Sequence, residues 1–132
     1  MYLRFTTQFI NLHGELETGI FMALKHLRDD YPLTNDEHVV RLKELSRWFD
    51  KNLEKPTRFS KGTSKYNADV SLSWFKDSAH EHIKRMQDFI EIAEHYDMVI
   101  ERIAIKNPGY IVFEDEHQVS AVPFKADNKR VK

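Results

Sequence analysis

The chain has no cysteine, which rules out disulfides, thiolate zinc sites, iron–sulfur clusters and a cysteine nucleophile. That composition suits a reducing compartment. Long apolar runs are also missing. Met98-Val99-Ile100 is one of the stretches present, whereas a bilayer-spanning helix needs about 20 apolar residues, so no membrane partner is expected. Neither sign of charge is in excess: 20 Lys+Arg against 21 Asp+Glu leave a net charge of -1. Neutralising phosphates takes a concentrated basic surface, so nucleic acid is not an expected partner. The opening Tyr2-Leu3-Arg4-Phe5 enters a strand pattern without a basic n-region, apolar h-region or small-residue cleavage site. Together with the missing cysteines, this predicts a cytoplasmic protein.

What is present is ordinary globular material. Hydrophobic residues make up 41% and charged residues 31% of 132, enough for one core and far from the composition of disordered chains. No repeat or low-complexity stretch divides the chain. One domain over 1–124 is expected, followed by a basic C-terminal tail over 125–132, with Lys129, Arg130 and Lys132, that has nothing to bury.

Leu3 and Phe5 alternate with Tyr2 and Arg4, the period of a half-buried strand. From Glu17, Ile20, Phe21, Ala23, Leu24 and Leu27 fall at helical spacing until Tyr31-Pro32. Thr34-Asn35-Asp36-Glu37 reads as a capping box opening a second helix, with Val39, Leu42, Leu45, Phe49 and Leu53 as its stripe and Trp48 beside it. A loop at 55–68 carries Lys55, Arg58, Lys61 and Lys65; its composition, with Phe59 and Tyr66, resembles a nucleic-acid contact, and the plainer reading is a solvated loop.

Val70, Leu72 and Trp74 alternate with Ser71 and Ser73 as a strand. Ser78 and Glu81 then form a second capping box for a helix striped by Ile83, Met86, Phe89, Ile90, Ala93 and Tyr96, and Met98–Ile105 reads as the next strand. Strand, helix and strand predict a parallel pair with a right-handed crossover. Asn107-Pro108-Gly109 suits a type II turn into a strand over 110–114, and Asp115-Glu116-His117 leads to a last strand from Gln118, with Pro123 at an edge or strand end. The expected class is α+β: a mixed sheet of about five strands with three helices, in the order β-α-α-β-α-β-β-β.

Ligands of open α/β sheets gather beyond the carboxyl ends of parallel strands, where helix N-termini carry positive partial charge. Here that place is Trp74-Phe75-Lys76-Asp77-Ser78. Lys76 would supply a full charge, Ser78 a donor, Trp74 a flat surface and Arg4 further charge for a small phosphate ligand. The plainer reading makes Trp74 core, Ser78 a cap and Lys76 solvated, and no Gly-rich phosphate loop favours the first.

Seven histidines invite a metal reading, but His80 and His82 point about 200° apart on a helix. Lys84 stands where a His-Glu-x-x-His motif needs its second histidine. Glu91 and His95 share a face but are two ligands only. No metal and no cofactor are expected. Glu114-Asp115-Glu116-His117-Gln118 is the densest polar cluster. Closely spaced carboxylates raise one another's pKa, so Glu114 and Glu116, with His82 or His117 as proton carrier, would suit acid–base chemistry. Alternatively Asp115, Glu116 and His117 form a charged turn that keeps a sheet edge soluble or meets a partner. No Gly-x-Ser-x-Gly elbow is present, and Glu101 is followed by Arg102-Ile103 where a restriction-like nuclease needs Glu-x-Lys.

Trp74-Phe75-Lys76-Asp77-Ser78-Ala79, His82-Ile83 with Met86, and the run Pro108 to Val119 resemble a family of small bacterial proteins without an assigned activity. The likeness extends to Tyr2-Leu3-Arg4-Phe5 and Trp48-Phe49. It implies a bacterial, cytoplasmic source and no substrate, cofactor or catalytic residue. The failure of every standard catalytic signature favours an interaction module that binds a protein partner or forms a homo-oligomer. The alternative is a small phosphate- or nucleotide-binding enzyme or sensor built on Lys76 and Ser78.

Overall fold

The computed structural model describes residues 1–33, 35–55 and 71–124. Thr34, Val70, most of the basic loop and the C-terminal tail lie outside the described residues. The elements are β1 (Tyr2–Thr6), β2 (Gln8–Ile10), β3 (Leu16–Thr18), α1 (Ile20–Asp29), α2 (Asp36–Asn52), β4 (Leu72–Lys76), α3 (His80–His95), β5 (Glu101–Ile105), β6 (Tyr110–Glu114) and β7 (Gln118–Val122). This is an α+β arrangement in the expected order, with β2 and β3 added. No helix among the described residues is long and apolar enough to cross a membrane.

The chain falls into two compact units. The first contains Met1–Arg4, the described residues of Lys55–His80 and those of Ile103–Lys132. It carries the five-stranded sheet, in the order β5-β1-β4-β7-β6. The β1–β4, β4–β7 and β7–β6 ladders are all antiparallel. The expected side-by-side parallel pair is therefore not formed. β1 lies between β4 and β5, pairing Tyr2 with Lys76 and Leu3 with Phe75, so the connection through α3 skips one strand.

In the middle of the sheet Trp74 and Phe75 are both buried, as are Gln118, Val119, Ser120 and Ala121. Adjacent strand residues face opposite ways, so both faces of the sheet are covered there. Leu72 and Ser73 are half-buried, and burial extends to both faces further along β4, at Trp74 and Phe75. Ser73 and Ser120 hydrogen-bond through their hydroxyls at 3.1 Å, satisfying two polar groups in that interior.

The second unit contains Phe5–Glu54 and Glu81–Arg102. Ile20, Ala23, Leu24 and Leu27 of α1, Leu42, Leu45 and Phe49 of α2, and Met86, Phe89, Ile90, Ile92 and Ala93 of α3 form its core. Each large aliphatic or aromatic side chain fully removed from water contributes roughly 1.5–3 kcal/mol. Phe21, expected in the α1 stripe, is 40% exposed.

Helix starts differ from expectation by small steps with clear causes. Glu17 lies in β3, not α1, because Gly19 adopts a φ of 135° and breaks the strand before Ile20. α2 is capped by Asn35, whose side chain accepts from the Glu37 and His38 amides at 2.9 and 3.4 Å. Asp36 and Glu37 then sit where the helix dipole favours acids. α3 begins at His80, one residue later than a Ser78 cap implies. It ends in a Schellman turn: the Met98 amide donates to Ala93 O at 3.0 Å and the Asp97 amide to Glu94 O at 3.1 Å, with Asp97 left-handed at φ 66°.

Gly109 enters β6 at φ 124°, and a Cβ there would lie 2.0 Å from the Val122 carbonyl oxygen. No side-chain rotation relieves a contact with backbone. Gly109→Ala is therefore expected to cost more than about 3 kcal/mol in urea unfolding; a loss under about 1 kcal/mol would contradict the geometry. Asp97→Gly removes a left-handed penalty without touching a core contact and is expected to raise stability by about 0.5–1 kcal/mol in the same assay.

Candidate functional site

In the sheet-bearing unit the β4–β7 register places Phe75 opposite Gln118 and carries Lys76 to the β6–β7 turn. The Lys76 amide donates to His117 O at 2.9 Å, and its ammonium reaches Glu114 Oε2 at 2.6 Å. Two groups that the sequence assigned to separate roles, phosphate binding and acid–base chemistry, thus form an ion pair. Arg4 donates from Nη1 to Ser73 O at 3.2 Å across the β1–β4 pair. Trp74 is buried, and its indole N–H finds no acceptor among the described residues. Ser78 is exposed.

The polar turn is built around Asp115. Its Oδ1 accepts from the His117 and Gln118 amides at 2.8 and 3.0 Å, and its Oδ2 from Gln118 Nε2 at 3.0 Å. The Asp115 amide closes the turn on Gln118 O at 3.0 Å. Desolvation opposes ionisation of Asp115, but the Gln118 side chain and the two amides outweigh it and hold the carboxyl below its usual range. Glu116 is largely exposed and lies 3.9 Å from His117 Nε2. In this arrangement Asp115 fixes the chain of the turn.

His82 belongs to the second unit. It is buried there, with Nε2 2.7 Å from Asn52 O at the end of α2 and its ring 4.8 Å from that of Trp48. Arg85 lies over the same indole at 5.1 Å. This is a packed histidine that hydrogen-bonds a helix-terminal carbonyl. His80 is exposed, on the other side of α3.

A groove of about 400 Å³ runs between α2 and α3, lined by Glu37, His38 and Arg41 on one side and Asp88, Glu91 and His95 on the other, with Ile92 at its floor. His38 Nδ1 is 2.6 Å from the Tyr96 hydroxyl, and the His38 and His95 rings are 5.0 Å apart. Arg41 pairs with Asp88 and with Glu44. Sequence spacing found the Glu91–His95 face but not its partners, since residues 38 and 95 meet only through helix packing. Among the described residues no group of three or more His, Asp or Glu is placed to hold a metal ion. Acids outnumber the single, already paired guanidinium, so the groove does not favour anions.

The most unusual surface is apolar. Asn11 forms the β2–β3 loop by accepting the His13 and Glu15 amides on its side chain at 2.8 and 3.0 Å, with Gly14 at φ 78° completing the five-residue loop. This turn puts Ile10 directly opposite Leu16. Phe9 faces inward and is buried, whereas Ile10, Leu12 and Leu16 are 57%, 68% and 62% exposed. Among the described residues, five of the eleven exposed large hydrophobic side chains fall within residues 10–22. The sequence signal was available in Asn11, Gly14 and the alternation of Phe9 with Ile10, but the segment is short.

No family model, curated protein or solved structure matches this chain. The resemblance drawn from the Trp74 and Pro108 segments therefore stands without support from these comparisons.

Because folding lowers the Asp115 pKa, the ionised carboxylate stabilises the native turn above the unfolded value of about 4. That contribution is lost as the pH falls through the folded value. Wild type is expected to exceed Asp115→Asn in stability at pH 7, with the gap closing below about pH 4 in chemical unfolding followed across pH. A gap that widened on acidification would reverse the assignment.

Proposed function

We propose that this protein is a non-enzymatic interaction module whose contact surface is the β2–β3 hairpin and the start of α1. The observation that carries this reading is the concentration of exposed Ile10, Leu12, Leu16, Phe21 and Met22 in thirteen consecutive residues. Apolar surface of that density, bordered by polar Gln8, His13 and Glu15, marks association sites on soluble chains. The groups considered for chemistry support the same reading from the other side. Lys76 is paired with Glu114, Asp115 is bound within its turn, and His82 is packed in a core. Absence of cysteine fits a cytoplasmic setting for the module.

A small phosphate-binding role at Lys76 and Ser78 is the weaker reading, since any anion there competes with the Glu114 carboxylate 2.6 Å from the ammonium. The pair is partly exposed and worth at most about 1 kcal/mol, so Lys76→Met is expected to lower the melting temperature only slightly.

Carbene footprinting tests the proposal. Segment 10–22 of the full chain in a lysate of its source cells is expected to be labelled at least several-fold less than in the purified protein at nanomolar concentration, with control surfaces such as Val40 unchanged. Equal labelling in the two samples would overturn the interaction reading.

A further inference from the structure

Resting on the interaction reading, we infer that the hairpin face is occupied by a second copy of this chain in a two-fold dimer. The exposed residues lie on the hairpin and beside its base. The Thr7 hydroxyl donates to Val99 O at 2.6 Å and the Gly19 amide to Thr7 O at 3.0 Å, which ties the base of the hairpin to Val99, itself 82% exposed. On the other side of that base, a Cβ placed on Gly19 would lie 3.7 Å from Met22 Cγ, so Met22 adjoins the same stem. Ile10, Leu12, Leu16, Met22 and Val99 together expose on the order of 600 Å² per copy. A two-fold contact covering them twice buries on the order of 1,200 Å², at the lower bound of specific interfaces.

Three features favour a copy over a foreign partner. β2 and β3 form a two-stranded sheet of their own, so each keeps an outer edge that pairs with no further strand in a sheet of the described residues. A ribbon of two strands is marginal by itself and gains from a second. Those edges, Gln8–Ile10 and Leu16–Thr18, contain no Lys or Pro to block strand addition. The net charge of -1 gives two copies no substantial mutual repulsion.

Contacts at the low end of the interface size range are characteristically weak and transient, so association is expected at micromolar concentrations. In sedimentation velocity of the full chain from about 1 to 300 µM, the weight-average mass is expected to rise from one chain to two. Leu16→Asp is expected to weaken the dimer at least tenfold. Leu12→Asp, at the loop tip and outside both strands, provides the second variant and should weaken dimerisation while leaving the circular dichroism spectrum and melting temperature unchanged. A monomer throughout the range, assembly beyond two copies, or a dimer insensitive to both substitutions overturns the inference. A monomer whose segment 10–22 is nevertheless protected in the lysate retains the interaction module and assigns its surface to a foreign partner.

Discussion

Four consecutive residue pairs join β4 to β7, from Leu72 opposite Ala121 to Phe75 opposite Gln118, and most of the sheet-bearing unit is referred to this ladder. β7 is buried along its first four residues, so its register is fixed from both faces. A slip of one residue would exchange the Val119 and Ser120 sides and leave a hydroxyl against apolar neighbours. That register delivers Lys76 to the His117 carbonyl, and through β6 it brings Glu114 within reach of the ammonium. It also aligns Ser73 with Ser120. The polar contacts at this end of the sheet are consequences of an apolar ladder rather than independent devices.

Ligation of the acidic turn follows the same logic. Asp115 sits between two strands whose ends are held by β7, and its carboxylate takes up the amides that a tight turn leaves open. A carboxylate bonded by three donors serves poorly as a general base, because protonating it would break the turn. The high density of charge at 114–118 thus has a conformational cause that sequence alone does not separate from a catalytic one.

Much of the fold was legible in the residues. The stripes Leu42–Leu45–Phe49 and Met86–Phe89–Ile90–Ala93 declare their helices because period and burial agree. Pro108-Gly109 and Pro123 mark the ends of β6 and β7 through backbone restrictions that act locally. What was not legible is non-local. Nothing in Leu3 or Phe5 says that β1 pairs with β4 and separates it from β5; that choice depends on which strand fills the gap, and it replaced the side-by-side pair from which the phosphate reading was argued. β2 and β3, at three residues each, are shorter than the window in which a period of two can be counted. The approach of His38 to His95 and Tyr96 depends on helix packing that no single segment encodes. Asn35 in place of Thr34 as helix cap is a one-residue ambiguity between neighbours of similar capping chemistry, and the opening of α3 after Ala79 instead of Ser78 lies within the one- or two-residue latitude of a helix end.

β6, one of the two edge strands of the five, carries an irregularity with a consequence of its own. Ile111 pairs with Ala121 and Phe113 with Ser120, so one extra residue, Val112, interrupts the alternation. Side chains before and after it point to opposite sides even though they are two positions apart. A foreign strand laid along this rim would match its hydrogen bonds over one half and miss them over the other. Despite its aromatic and branched composition, the Tyr110–Glu114 segment is therefore a poor seed for fibre growth, and straightening it by deleting Val112 would create the hazard that its present shape averts.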